Sequence, residues 1–166
     1  MKKLSFLLTI LLLLSFAFFA IGSSEDTSEA DDQGSANVDQ SKDESNLGDY
    51  HITIDSCRLA EDFEGKPVVI VKYTFKNVSN EDAVAFYTAV SDSVFQNGVG
   101  LNEAYFLADN ANYSADNATK EIKKGASIEV EVAYELNDTT TDIEVEVEEF
   151  ISFNDKVVKK TFKISK

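Results

Sequence analysis

From Tyr50 onward apolar and polar residues alternate in several separate stretches, the period of strands that bury one face. Residues 50 to 59 put Ile52 and Ile54 on one side, and Glu61 to Lys66, with Gly65, supplies a turn. Pro67 can open the next strand but could not sit inside one. In the strand from Val68 to Lys76, Val69, Val71, Tyr73 and Phe75 face the core, while Lys72, Thr74 and Lys76 face water. Asn77 to Asn80 is a second turn. The following EDAVAFYTAV fits either a strand through Val84, Phe86, Thr88 and Val90 or a short helix capped by Ser79 with Asp82. In VFQNGVGL, Asn97-Gly98 predicts a hairpin because both residues tolerate positive φ. Residues 108 to 119, with Ala-Asp-Asn-Ala twice, read as a long exposed loop.

Two further strands, Ile128 to Leu136 and Ile143 to Val147, alternate aliphatic residues with glutamates, and a last strand runs from Val157 to Ile164. The six polar residues 137 to 142 suggest that the two acidic strands are antiparallel neighbours. In that register Leu136 meets Ile143, Tyr134 meets Val145 and Val132 meets Val147, while Glu135 opposes Glu144 and Glu131 opposes Glu148 outside. Such like-charge pairs would make the fold more stable as pH falls from neutral. The predicted architecture is all-β, an immunoglobulin-like two-sheet antiparallel sandwich of about seven strands spanning residues 50–166. The Cys…Trp…Cys arrangement of antibody domains is missing.

Ahead of this domain, Lys2 and Lys3 precede an apolar run from Leu4 to Ile21, so residues 1–22 read as a signal peptide or a retained N-terminal anchor. Ser23 stands where a lipoprotein would carry its cysteine, after Ala20-Ile21-Gly22, which excludes thioether lipidation at that position. Residues 23–49 contain no aromatic side chain and only Val38 and Leu47 as larger aliphatics, and are expected to form a disordered acidic tether.

Charge narrows the partners. Residues 23–49 carry nine acids against Lys42, residues 50–166 carry 21 acids against 12 bases, and the formal charge is −15. Nucleic acid and anionic lipid surfaces are repelled by this balance, so membrane contact is expected only through an uncleaved N-terminal segment. Cys57 is the sole cysteine, which excludes an intrachain disulfide, and on a strand it reads as a small buried hydrophobe.

Candidate chemistry is sparse. His51 is the only histidine, at the start of the domain and without a nucleophile motif, so no catalytic residue is assigned. Paired acids recur along strand faces as solvated glutamates do, and no tryptophan offers a sugar platform. Asp109, Asn110, Asn112, Asp116 and Asn117 supply oxygen atoms within one loop and form a weak calcium candidate, since calcium needs six to eight converging oxygens. Glycosylation sequons at Asn77, Asn112, Asn117 and Asn137 are adequately explained by turn formation. No cofactor is implied.

Three stretches, SCRLAEDFEGKPVVIVKYTFKN (56–77), SVFQNGVGL (93–101) and EIKKGASIEVEVAYELND (121–138), resemble a family of secreted or lipid-anchored domains of unknown function from Gram-positive bacteria. The resemblance spans most of residues 50–153. It implies a signal peptide, a low-complexity tether and one immunoglobulin-like sandwich related in fold to a secreted mycobacterial antigen. Its motifs mark strand starts and turns, so it transfers no catalytic residue. Ile122-Lys123-Lys124-Gly125 has lysine where proline is more usual, and the lipobox cysteine is absent. The expected function is therefore a non-enzymatic extracellular or cell-surface binding module whose partner is an unknown extracellular protein or envelope component. The alternatives are a calcium-binding or structural envelope domain, and a secreted hydrolase.

Overall fold

The computed structural model describes residues 44–80, 83–151 and 155–164. The predicted signal peptide or anchor, and the tether as far as residue 43, lie outside the described residues. Among the described residues no helix is long and apolar enough to cross a membrane.

Among the described residues eight strands form two antiparallel sheets. The first sheet has the order β1 (Glu44–Leu47), β2 (Tyr50–Glu61), β3 (Pro67–Asn77), β6 (Ser127–Glu135). The second has the order β5 (Val99–Gly100), β4 (Val90–Gln96), β7 (Ile143–Glu149), β8 (Val157–Phe162). Strands β2-β3-β6 and β5-β4-β7-β8 reproduce the A-B-E and C′-C-F-G orders of an immunoglobulin sandwich.

β1 lies ahead of Tyr50. Glu44 to Leu47 pair with Thr53 to Tyr50, and the Leu47 side chain is buried in the main core, so strand structure that packs on the sandwich already precedes Tyr50. A single leucine in a polar stretch carries little periodicity, yet it fills the core at the edge of the sheet.

The core-facing row of β3 is as predicted: Val69, Val71, Tyr73 and Phe75 are all buried. They meet Phe86, Val94, Val145 and Val147 from the other side in one cluster. Val68 and Ile70, on the opposite face, are buried as well, beneath Ala104, Ala111 and Leu107. The unbroken run PVVIV is thus covered on both faces. In β2 a bulge between Ile54 and Ser56 makes Asp55 an extra residue, which shifts the inward positions from Ile52 and Ile54 to Cys57. Lys160 Nζ caps the bulge by donating to the Ile54 and Asp55 carbonyls at 2.7 and 3.0 Å.

The Asn97-Gly98 turn has positive φ at both residues and joins β4 to β5. Within EDAVAFYTAV, Phe86–Ala89 form one helical turn, α1, with Ala85 as an N-cap that makes no side-chain bond, and Val84 bridges to Ile122. Asp82 lies outside the described residues.

The predicted pairing of the two acidic strands is not observed. β6 pairs with β3, and β7 lies between β4 and β8 in the other sheet. The 137–142 connection crosses the sandwich, so the two aliphatic rows face each other through the core. Alternation identifies the buried row of a strand but not its neighbour, since both arrangements bury the same residues. The glutamates meet cations as a result: Glu129 with Lys72 at 2.7 Å, Glu131 with Arg58 at 3.0 Å, and Glu146 with Lys159. Lys159 lowers the Glu146 pKa, so this pair adds stability above the unfolded carboxyl range and loses it as pH falls. That sign is opposite to the one expected from like-charge pairing.

Candidate functional site

The segment after β5 shapes the functional end of the molecule. Ala104 N–H donates to the Ala133 carbonyl and Glu135 N–H to the Asn102 carbonyl, which covers the free edge of β6. The chain then crosses the outer face of β3 to reach the end of β2, where Phe63 N–H donates to Phe106 and Ala108 N–H to Glu61. Small residues make this crossing possible, because Ala104 and Ala111 sit flat on Val68 and Ile70. The predicted exposed loop is therefore partly a packed cover, with Ala111 and Ala118 both buried.

The cover presents aromatic rings to water. Phe63, Tyr105 and Phe106 are 68%, 73% and 74% exposed, and the Phe63 and Phe106 rings pack edge to face at 6.2 Å. Phe63 and Phe106 are joined through their backbones, and Tyr105 follows Ala104, which is tied to β6, so the rings stand on a hydrogen-bonded base. Asp62 and Glu64 flank them on the β2–β3 turn.

Beside Tyr105 a hollow of about 320 Å³ opens between β4 and the 101–105 segment, with Asp92, Glu103, Tyr105 and Tyr134 in its lining. Asp92 occupies a position that the strand pattern reserves for the core, in phase with Val90 and Val94 and opposite Val147. Tyr134 donates a short hydrogen bond from its hydroxyl to the Asp92 carboxylate across the sandwich. The fully buried Tyr73 hydroxyl lies against Asp92 and Tyr134 but makes no well-formed hydrogen bond. Tyr87 approaches Glu103 at 3.4 Å. Burial raises the Asp92 pKa, with Glu103 adding to the effect and the two phenols opposing it. Burial likewise raises Tyr73, Tyr87 and Tyr134 above the ordinary phenol value. None of the ion pairs among the described residues involves Asp92 or Glu103.

A larger hollow, about 570 Å³, lies between Arg58, Glu61, Pro67 and Asn110. Its guanidinium is committed, donating to the Ala111 and Asn112 carbonyls at 2.7 and 3.0 Å and to Glu131. This arrangement bears on the calcium candidate. Asp109 and Asn112 line one recess, Asn110 lines the Arg58 hollow, and the Asn117 amide is bonded to the Glu129 carbonyl and to Lys120. Asp116 opens a separate 3-10 turn, and its carbonyl accepts from the Thr119 hydroxyl. Among the described residues no group of three or more His, Cys, Asp or Glu is placed to hold a metal ion. His51 bonds Asn46 at 2.9 Å on the β1–β2 pair, and Cys57 is half-buried with its thiol pKa raised by burial. Asn77 is buried, and its amide ties Ser79 to the Ile122 carbonyl.

Asp92 and Glu103 were not singled out by sequence reasoning. The available signal was Asp92 itself, a carboxylate in the apolar phase of V-S-D-S-V. Glu103 gave none, because its place depends on the backbone crossing back to β6.

Fold and hollow together define an immunoglobulin-like sandwich with a polar recess between its sheets. The chain belongs to a family of domains of unknown function, DUF5067, whose model matches residues 23–149. Among solved structures, a protein assigned as a lipoprotein from Staphylococcus aureus is 20% identical, with a TM-score of 0.53 over 74% of this chain and 92% of that one. Another assigned lipoprotein, from Bacillus subtilis, is 14% identical, with a TM-score of 0.55 over 75% of this chain and 39% of that one. A protein from Enterococcus faecalis is 17% identical, with a TM-score of 0.53 over 74% and 90%. At these identities the likeness carries the fold alone. No curated protein matches the chain.

Proposed function

We propose that this chain is a non-catalytic interaction module, carried at the outer surface of a Gram-positive cell or released from it. The observation that carries the reading is the exposed trio Phe63, Tyr105 and Phe106, held on a hydrogen-bonded backbone at one end of the sandwich. Exposed aromatics add nothing to the core, and contiguous ones on a rigid base mark interaction surfaces. Assignment of two fold relatives as lipoproteins supports a surface location, as does the apolar start of the sequence. With Ser23 in place of a lipobox cysteine, retention would rest on the N-terminal apolar segment or on the partner.

The test is retention of the exported protein on envelope fragments, compared with a variant carrying Phe63→Ser, Tyr105→Ser and Phe106→Ser. Loss of retention with a melting temperature close to wild type is expected, because changes at exposed positions seldom exceed about 0.5 kcal/mol each. Equal retention of the two proteins would remove the aromatic trio from the binding surface.

A further inference from the structure

We propose that the hollow lined by Asp92, Glu103, Tyr105 and Tyr134 is a receptor for one organic cation, the ammonium or guanidinium of a lysine or arginine side chain on the partner. The proposal deepens the binding-module reading and rests on it for the identity of the partner, but not for the site's chemistry.

Two carboxylates share this recess. One of them sits in the core-facing row of β4, opposite Val147. A carboxylate withdrawn from water needs a counter-charge or several donors, and this chain provides one short bond from Tyr134. Tyr73 brings a second hydroxyl into the cluster, fully buried beside Asp92 and without a well-formed hydrogen bond, which is a rare state for a native side chain. It is the donor that an ionised Asp92 would use. A cation entering from the Tyr105 side would hold Asp92 ionised and allow both phenols to donate to it. Glu103, at the mouth, would accept from the same cation, and Tyr87 already leans toward its carboxylate.

The walls decide the type of cation. Phenol rings attract ammonium and guanidinium groups through their faces, and Tyr105 and Tyr134 both border the space. A bare divalent ion would need more oxygens than two carboxylates supply, and no three-acid group is present among the described residues. The volume of about 320 Å³ is ample for a side-chain head group. The negative charge of the whole chain, −15, draws basic partners toward the recess.

The chain contains no tryptophan and six tyrosines, and five of them, Tyr73, Tyr87, Tyr105, Tyr113 and Tyr134, lie in or next to this cluster. Its intrinsic fluorescence therefore reports on the site. The exported protein would be titrated with Nα-acetyl-arginine methylamide and Nα-acetyl-lysine methylamide. The uncharged isostere Nα-acetyl-citrulline methylamide serves as control. A saturable fluorescence change in the millimolar range is expected with the cations and not with citrulline. Glu103→Gln should weaken it by about tenfold, the loss of one charge-assisted hydrogen bond, while Glu148→Gln on the exposed face of β7 leaves it unchanged. Saturation by citrulline, or equal weakening by the two variants, would overturn the site. Saturable cation binding alongside equal envelope retention of wild type and a Phe63→Ser, Phe106→Ser variant, which leaves Tyr105 in place, would leave this site standing and confine the failure to the aromatic surface. Envelope retention without cation binding would do the reverse.

Discussion

Two polar side chains occupy the core-facing row of β4, and the protein treats them differently. Gln96 is saturated. Its Nε2 donates to the Asp138 and Thr141 carbonyls at 3.1 and 3.0 Å, and its Oε1 accepts from Asn137 N–H at 2.9 Å and Asp138 N–H at 3.4 Å. All of these partners belong to the connection that carries the chain from β6 to β7. Asp92, in the same row as Val94 and Gln96, receives one well-formed phenol bond, while a second phenol lies beside it without forming one. A polar group in a core row can thus hold a crossing in place or be held ready for something else, and the count of satisfied bonds separates the two.

The largest effect expected from this comparison is at Gln96. Gln96→Ala strips partners from two carbonyls and two N–H groups at a buried crossing and should cost roughly 3 to 5 kcal/mol in urea unfolding. A cost under about 1 kcal/mol would mean that water or the Asp138 turn takes over those bonds, and the contrast with Asp92 would vanish.

Smaller effects are expected from the two phenols, where the same chemical change should give unequal results. Tyr134→Phe removes the one donor to the Asp92 carboxylate and should destabilise by about 1.5 to 3 kcal/mol. Tyr73→Phe removes a buried hydroxyl that makes no well-formed hydrogen bond, so it should be neutral or stabilise by up to about 1 kcal/mol. Equal losses would show that Tyr73 already has an acceptor, leaving the recess with no unused donor.

Much of this fold is legible in the sequence because one-sided strands write their buried row as a period of two. Val69, Val71, Tyr73 and Phe75, the Asn97-Gly98 turn and the row Ile143, Val145, Val147 all follow from that rule. What alternation omits is the identity of the neighbouring strand, and for this reason β6 and β7 were expected side by side. Gln96 held the correction, since a glutamine in phase with Val90 and Val94 must find backbone partners, and a sheet crossing provides them. Leu47 was lost for a different reason: a four-residue edge strand with one apolar side chain has no period to detect. The candidate site was the least legible part. Its residues come from β3, β4, β6 and a connecting segment, and only the three-dimensional crossing brings them together.

The finest test of the comparison is the pH dependence of two aspartates whose pKa values move in opposite directions. Asp138 accepts from the N–H groups of Thr140 and Thr141 and from both hydroxyls, and these bonds bring its pKa down to about 2. A lowered pKa means that the unfolded state binds protons first, so this group adds stability above the ordinary carboxyl value and loses it as pH falls toward about 2. Asp92 has the reverse sign. Burial raises its pKa, opposed by the Tyr134 and Tyr73 hydroxyls and reinforced by Glu103, so the folded state binds its proton more readily than the unfolded one. Its contribution is present below the unfolded carboxyl value and is lost as pH rises through the folded value. An asparagine amide in place of this carboxylate would keep an acceptor for Tyr134 and carry no charge to desolvate. Asp92→Asn should therefore raise the melting temperature relative to wild type near neutral pH, and the advantage should shrink as pH falls toward about 4. Asp138→Asn should lower the melting temperature near neutral pH, with the deficit closing toward acid. Parallel pH trends in the two variants would show that Asp92 is as well satisfied as Asp138, and the difference between the crossing and the recess would be lost.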